Sequence, residues 1–173
     1  MTFYKIQTDR LLLRRWRDAD REPFAAICAD PAVMKFIGNG QPKSAAEASA
    51  DIEKFEAEWE REGFGLFALE LRETGDLAGF TGLSVPTFLP EIMPSVEIGW
   101  RLARNLWGQG LATEAAQAVL AFGLGILGIP GIVSICHVEN ESSRRVMKRI
   151  GLTFDRRTVV PMLECEVDVF RTA

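Results

Sequence analysis

Histidine and tyrosine occur once each in this chain of 173 residues, as His137 and Tyr4, and cysteine occurs only three times. Cys28, Cys136 and Cys165 lie far apart, are odd in number and show no metal-ligand spacing. They argue against a zinc site or a disulfide framework and read as buried thiols in a reducing compartment. An excess of basic residues is also lacking. Twenty Lys and Arg against 24 Asp and Glu give a net charge of −4, which leaves no global positive field for nucleic acid. No long hydrophobic run is present. The most apolar stretch, residues 111–127, is interrupted by Thr113, Glu114 and Gln117. It falls short of the roughly 20 residues that a bilayer span needs, so it reads as a core helix and no membrane partner is expected. The N-terminus has no apolar signal-peptide core, which points to a cytoplasmic protein. Internal repeats, low-complexity tracts and linkers are missing too. What is there is an ordinary soluble composition, 47% apolar and 25% charged, with a length that suits one domain over residues 1–173.

Local signals order the elements. Residues 10–16 read as a strand. Asp18 is placed to cap a helix to Ala29, which Asp30-Pro31 stops before a short helical piece to Phe36. Ser44 followed by Glu47 is a capping box, opening a helix from Ala45 to Arg61 that Gly63 ends. Strands at 64–71 and 77–85 flank a turn at Glu73-Thr74-Gly75-Asp76. Pro86, Pro90 and Pro94 bound a loop before a strand at 95–102. A glycine turn leads into the long helix from Leu111, which ends around Gly128. A strand at 132–138, a helix capped by Asn140 and running to Ile150, and a hairpin of strands at 152–160 and 164–171 complete the chain. This order specifies an α/β fold with a mixed central β-sheet of about seven strands and helices on both faces.

The chemistry gathers around the glycine turn. An alternating strand runs into Trp107-Gly108-Gln109-Gly110 and then into the helix that begins Leu111-Ala112-Thr113. A strand, a turn free to take left-handed angles and a helix N-terminus bring unpaired N–H groups and the positive end of a helix dipole to one point. That is a phosphate site, with the amides from Trp107 to Thr113 as the cradle. The plain alternative is an ordinary turn before a core helix. A literal Gly-x-Gly-x-x-Gly at Gly123, Gly125 and Gly128 is no dinucleotide fingerprint, because it follows a helix and precedes a strand. Gly123 and Gly125 read as close-packing positions and Gly128 as a helix cap. Downstream, Asn140-Glu141-Ser142-Ser143 opens a helix whose basic residues are Arg144, Arg145, Lys148 and Arg149. That basic face is mostly solvated, with one member able to meet a ribose phosphate. Strand alternation places Glu97, Gly99 and Arg101 on one face, with Val96, Ile98, Trp100 and Leu102 on the other.

The two blocks, in this order and spacing, resemble the acetyl-coenzyme A site of the GNAT N-acetyltransferases. Within them they resemble the RimJ/RimL-like branch that acts on ribosomal-protein N-termini. The resemblance implies the GNAT fold, acetyl-CoA as co-substrate and no metal. It implies an acyltransferase that moves acetyl to a primary amine by direct attack in a ternary complex. It also implies coenzyme contacts at Trp100, Arg101, Leu102, Trp107, Gly108, Gln109, Gly110, Leu111, Ala112, Thr113, Asn140, Ser143 and Arg149. Glu97 is implied as the proton acceptor on the amine side, and Ser143 as a neighbour of the thioester sulfur. Relatives often form homodimers, and nothing in the sequence excludes one. Two departures stand out. Asn105 occupies a position where many relatives carry Gln or Arg. The helix position of the usual acidic tyrosine is Met147, and the only tyrosine is Tyr4. The leaving thiolate is then protonated by Ser143, by water or not at all. A thiol pKa of ~8.5 makes an obligatory acid unnecessary.

Plainer roles stay open for several of these residues. Glu97 could pair with a neighbouring arginine, Asn140 and Ser143 could serve only as helix-start residues, and His137 on its apolar strand suits a structural role. Two rival functions also stay open: a non-catalytic acyl-CoA sensor, and a nucleotide-binding domain without acyl chemistry. The acceptor is expected to be a protein N-terminal α-amine or a small-molecule amine, bordered by loops at 38–43, 86–94 and 161–164. A site with so few acid–base groups favours an α-amine. That amine is neutral to roughly 10–17% at pH 7, against well under about 0.1% for a lysine.

Overall fold

A computed structural model describes residues 4–173. Two short strands, β1 (Ile6–Gln7) and β2 (Leu11–Arg14), precede α1 (Arg21–Ala29), α2 (Pro31–Met34) and α3 (Ala45–Glu62). Next come β3 (Leu66–Leu71), β4 (Leu77–Ser84) and β5 (Val96–Leu102), then α4 (Leu111–Ala121), β6 (Ile132–His137) and α5 (Glu141–Arg149). The hairpin of β7 (Thr153–Val160) and β8 (Cys165–Arg171) closes the order. All eight strands form one sheet in the order β1-β2-β3-β4-β5-β6-β8-β7. The pairs are antiparallel except β5 with β6. The strand beyond the expected seven is β1, whose two residues pair Ile6 with Leu13 and Gln7 with Leu12. Two residues are too few to show a period of two.

Several helix boundaries follow the local chemistry. Ser44 and Glu47 form the reciprocal capping box, with Ser44 N–H donating to Glu47 Oε2 at 2.7 Å and Glu47 N–H to Ser44 Oγ at 3.2 Å. Gly63 closes α3 with φ +75°. Asp18 does not cap α1. It lies in a 3-10 turn, and the Asp20 carboxylate instead accepts the Arg17 amide at 2.8 Å and both terminal nitrogens of Arg14. Helix α4 passes into a π-helical turn, Phe122–Ile126, before Gly128 takes φ +65°.

Alternation along the strands sorts the core into two faces. Leu11, Leu13, Phe67, Leu69, Leu83, Ile98 and Leu102 pack with α4 residues Leu111, Ala115 and Val119. Leu66, Ala68 and Phe80 point the other way, to Phe24, Ile27, Cys28 and Ile52 of α1 and α3. Burying a side chain such as Phe24 or Leu83 contributes roughly 1.5–3 kcal/mol, so both layers are held by many such terms. Gly123 is a close-packing position, since a Cβ there would meet Ile132 Cδ1 at 2.7 Å. Gly125 is not, because it is exposed and nothing lies near its missing Cβ. Cys28 and Cys136 are buried, whereas Cys165 keeps some exposure. Among the described residues, no helix is long and apolar enough to cross a membrane.

Candidate active site

The one parallel pair of strands is also the one that separates. β5 and β6 pair at Val96 with Ile132 and Glu97 with Val133, and no further. Beyond that point the Ser134 hydroxyl donates to Ile98 O at 2.9 Å, bridging the gap with a side chain. On its other edge β5 stays paired with β4 up to Leu102. By strand alternation, the Trp100 N–H and C=O point the same way as Ile98 O, into the open cleft. Backbone donors are thus left facing a cavity in the middle of a sheet, where a backbone group normally has a partner.

Two cavities meet at this cleft. The smaller, about 540 Å³, is lined by Trp100, Arg101, Leu102, Trp107, Gly108, Gly110, Leu111, Ala112, Thr113, Asn140, Ser143 and Arg149 among others. Its glycine turn is built as the sequence requires, with Gly108 at φ +75° and Gly110 at φ +78°. The first helical amide to find a partner is that of Glu114, which donates to Gly110 O at 3.0 Å. The amides of Leu111, Ala112 and Thr113 are therefore left for a ligand. The cradle is shorter than expected at its start, because Trp107 N–H donates to Arg104 O at 3.2 Å. Gln109 lines neither cavity, and its side chain donates to Asn105 O at 3.2 Å. Thr113 Oγ1 is buried in this wall without a hydrogen-bond partner. A buried hydroxyl in that condition, beside free amides at a helix start, fits a phosphate-bearing ligand. Arg145 and Arg149, one turn apart on α5, line the same cavity. Arg144 turns away to Asp168 at 2.8 Å and to Val138 O.

The larger cavity, about 920 Å³, lies on the α1–α3 face. Parts of all three expected acceptor loops border it: Gly38, Asn39, Gly40 and Lys43; Phe88; and Met162 and Leu163. Glu97 lines it and retains partial exposure, yet protein atoms surround it densely. Burial, with Glu58 adding a like charge, pushes its carboxyl up to about 8, against a smaller pull from the Ile135 N–H. It pairs with no arginine among the described residues, so the plain ion-pair role is absent. Glu58 is itself raised by burial and accepts the Val85 N–H at 2.9 Å.

Ser143, Trp100 and Arg101 line both cavities and mark their junction. Asn140 caps α5, its Oδ1 accepting the Ser143 N–H at 3.2 Å, which leaves the amide nitrogen free. His137 lines the larger cavity and stacks on Phe36 with ring centroids 5.2 Å apart. The Glu139 N–H donates to its Nδ1 at 3.2 Å, which puts the neutral ring's proton on Nε2. In that form the ring presents a donor, not a base. Met147 lines the cavity at the position of the usual tyrosine, and Tyr4 packs on Phe122, remote from both cavities. Among the described residues, no group of three or more His, Cys, Asp or Glu is arranged to hold a metal ion.

Two features of the site leave almost no mark in the sequence. Glu58 is one of six glutamates of α3, and nothing in its spacing marks it as the neighbour of Glu97. The second is a brace under the glycine turn. Glu114 accepts Thr8 Oγ1 at 2.6 Å, Arg10 N at 2.9 Å and Arg10 Nε at 2.7 Å, while Arg10 Nη1 donates to Gln109 O at 2.9 Å. The glutamate that follows Leu-Ala-Thr is its only visible trace.

Residues 10–153 match the acetyltransferase (GNAT) domain family. The chain is 31% identical to YnaD of Bacillus subtilis, described as an uncharacterized N-acetyltransferase, over 85% of this chain and 81% of that one. It superposes on the crystal structure of an acetyltransferase from Agrobacterium tumefaciens with a TM-score of 0.84 and 28% identity, covering 100% of this chain and 96% of the other. The fold is also that of RimL, the ribosomal L7/L12 α-N-protein acetyltransferase solved with coenzyme A, at a TM-score of 0.78 and 17% identity over 97% of each chain. The chain belongs to the GNAT acetyltransferases, enzymes that move an acetyl group from acetyl-CoA to an amine.

Proposed function

We propose that the protein acetylates a weakly basic primary amine, such as an α-amine, by direct attack within a ternary complex. The observation that carries this is the junction of the two cavities. A coenzyme channel and an acceptor cavity meet at Ser143 and the open edge of β5, with Glu97 on the acceptor side. Bound coenzyme supplies an activated thioester. The amides of Gly108 to Thr113, Thr113 Oγ1 and the guanidinium of Arg145 or Arg149 would hold its phosphates. Asn140 Nδ2 and the backbone of Trp100 and Leu102 would hold its amide-bearing arm. The Trp100 N–H is aimed to stabilise charge that develops on the acyl oxygen. Glu97 would take the proton from the amine. The Ser143 hydroxyl, at the junction, would deliver a proton to the departing sulfur.

An α-amine suits this equipment. Its pKa of ~7.7–8.0 lies beside that of Glu97, so neutral amine and ionised carboxylate become available over the same pH range, and Glu97 takes the proton that the nitrogen sheds as it attacks. A lysine amine at ~10.4 would demand a stronger base. RimL, an α-N-protein acetyltransferase, shares the fold and agrees with this choice. Thiol release from acetyl-CoA tests the reading, using two matched peptides: one with a free N-terminus and blocked lysine, the other with the reverse. Faster acetylation of the lysine peptide overturns the α-amine assignment. Tight coenzyme binding with no thiol release from N-terminal peptides, polyamines, aminoglycosides or amino acids favours the sensor, for which Met147 is the supporting observation.

A further inference from the structure

Most arginines of this fold that leave full exposure find a carboxylate. Arg14 meets Asp20 and Glu70, Arg15 meets Glu56 and Glu60, and Arg144 meets Asp168. Arg101 does not. Its Nε is buried without a hydrogen-bond partner, and its Nη1 donates only to Cys28 Sγ, a weak acceptor, at 3.3 Å. The guanidinium lies over the rings of Phe80 at 5.0 Å and Phe24 at 5.9 Å. No carboxylate of the described residues forms an ion pair with it. A half-buried cation whose Nε is shut off from solvent, held by two π faces and a thiol, is incompletely compensated. Its missing partner is an anion.

Arg101 borders both cavities, and the side of the strand it occupies says whose anion. Arg101 lies on the α1–α3 face of β5 with Phe80, which lines the acceptor cavity, and shares that face of the strand with Glu97. The free amides, Thr113 and the basic residues of α5 answer the coenzyme's phosphates elsewhere. Lys35, which has no ion pair among the described residues, also borders the cavity, whereas Lys43 is neutralised by Asp51. Around these charges the wall is aromatic: Phe36, Phe55, Phe80 and Phe88.

We propose that Arg101 anchors a carboxylate of the acceptor, so that the substrate is an amino-acid-like molecule with an amine, a carboxylate and an apolar or aromatic side chain. The inference rests on the acetyltransferase reading and narrows it from amines in general to small zwitterions. Arg101 orients the acceptor through its planar fork, the amine faces Glu97, and the side chain lies among the phenylalanines.

The test is calorimetric binding of the product-like pair N-acetyl-phenylalanine and its methyl ester to the full chain saturated with coenzyme A. The acid should bind the wild type at least about tenfold more tightly than the ester, the scale of hydrogen bonds to a charged group. Arg101→Met, which keeps the packing between the two rings, should bring the acid-to-ester ratio near one. Arg101→Lys, which keeps charge but not the fork, should retain part of it. Equal affinities in the wild type, no binding of either probe, or a ratio unchanged in Arg101→Met overturns the proposal. If Arg101→Met fails to fold, the wild-type and Arg101→Lys ratios decide. Failure of the acetyltransferase reading looks different: no amine releases thiol, while the acid-to-ester ratio persists.

Discussion

Replacing Glu97 by glutamine should make the enzyme slower and the protein more stable, and both effects come from one carboxyl. The side chain is pushed from 4.5 to about 8 by burial first and by the Glu58 charge second. In the folded state the proton is held more tightly than in the unfolded chain. Stability from this group is therefore fully present below pH 4.5 and is lost as pH rises through 8. At 1.36 kcal/mol per pH unit the full loss is about 5 kcal/mol, and water in the cavity brings it to about 2–3 kcal/mol. Glutamine carries no such cost. Wild type and Glu97→Gln should unfold alike at pH 4.5 in urea, and the variant should gain about 2–3 kcal/mol over the wild type by pH 8.5. The kinetic side follows from the same number. At pH 7 only about a tenth of Glu97 is ionised, so its contribution as a base grows nearly tenfold by pH 9. With an α-amine that must also lose a proton, log kcat/KM should rise below pH 7 with a slope approaching two. Glu97→Gln should have a slope of one and a turnover lower by roughly 10²-fold at pH 9. A variant with an unchanged pH–rate slope removes Glu97 from the proton path. A variant with no pH-dependent gain in stability shows that the carboxyl is not desolvated at all.

Three further outcomes are expected. Gly110→Asp, at φ +78°, would set a carboxylate and a strained backbone at the mouth of the amide cradle, so calorimetry should show acetyl-CoA binding weakened by at least about tenfold; unchanged binding by a folded variant removes the cradle from the coenzyme site. Ser143→Ala should lower kcat less than Glu97→Gln does, by about tenfold or under, with coenzyme affinity held within a few-fold; a loss larger than that of Glu97→Gln would make Ser143 the principal proton donor. Asp168→Ala would leave both Arg144 of α5 and Arg157 of β7 without the buried carboxylate they share, costing about 3 kcal/mol of unfolding free energy at neutral pH, measured in urea; a cost below about 1 kcal/mol would show that this shared carboxylate contributes little to holding α5 and β7 on β8.

Legibility tracked how local each signal was. The capping box of α3, the left-handed Gly63, the Asn140 cap and the glycine turn depend on contacts within four residues, and all lie where the sequence puts them. The faces of β5 followed from alternation alone. Long-range pairings were not readable. No pattern announced that Glu58 would stand behind Glu97 from the far end of α3, or that Arg10 would reach across to Gln109 O. The Asp18 cap failed for the same reason. Asp18 and Asp20 look equivalent in sequence, but the Asp20 carboxylate turns to the buried Arg14, back along the chain in β2, and neither side chain caps α1. The free Trp107 amide was lost to a local 3-10 turn at Arg104–Leu106, whose three residues carry no periodic signal.

The site owes its two-sidedness to the place where a regular sheet stops being regular. A parallel pair held at two positions must either continue or open, and here a serine hydroxyl at Ser134 satisfies Ile98 O just where the strands part. That bond removes the cost of an orphaned carbonyl without closing the gap. Everything past it, from Gly99 to Leu102, can then face ligands from both layers of the fold. The even-numbered backbone groups lie in the cleft, while Glu97 and Arg101 project to the α1–α3 side. On the proposed function, this one seven-residue strand would present backbone to the coenzyme and side chains to the acceptor. The same alternation makes the two roles separable. Substitutions at Glu97 and Arg101 should change which amine reacts and at what pH, whereas changes at Gly108 and Gly110 should be felt first in coenzyme affinity.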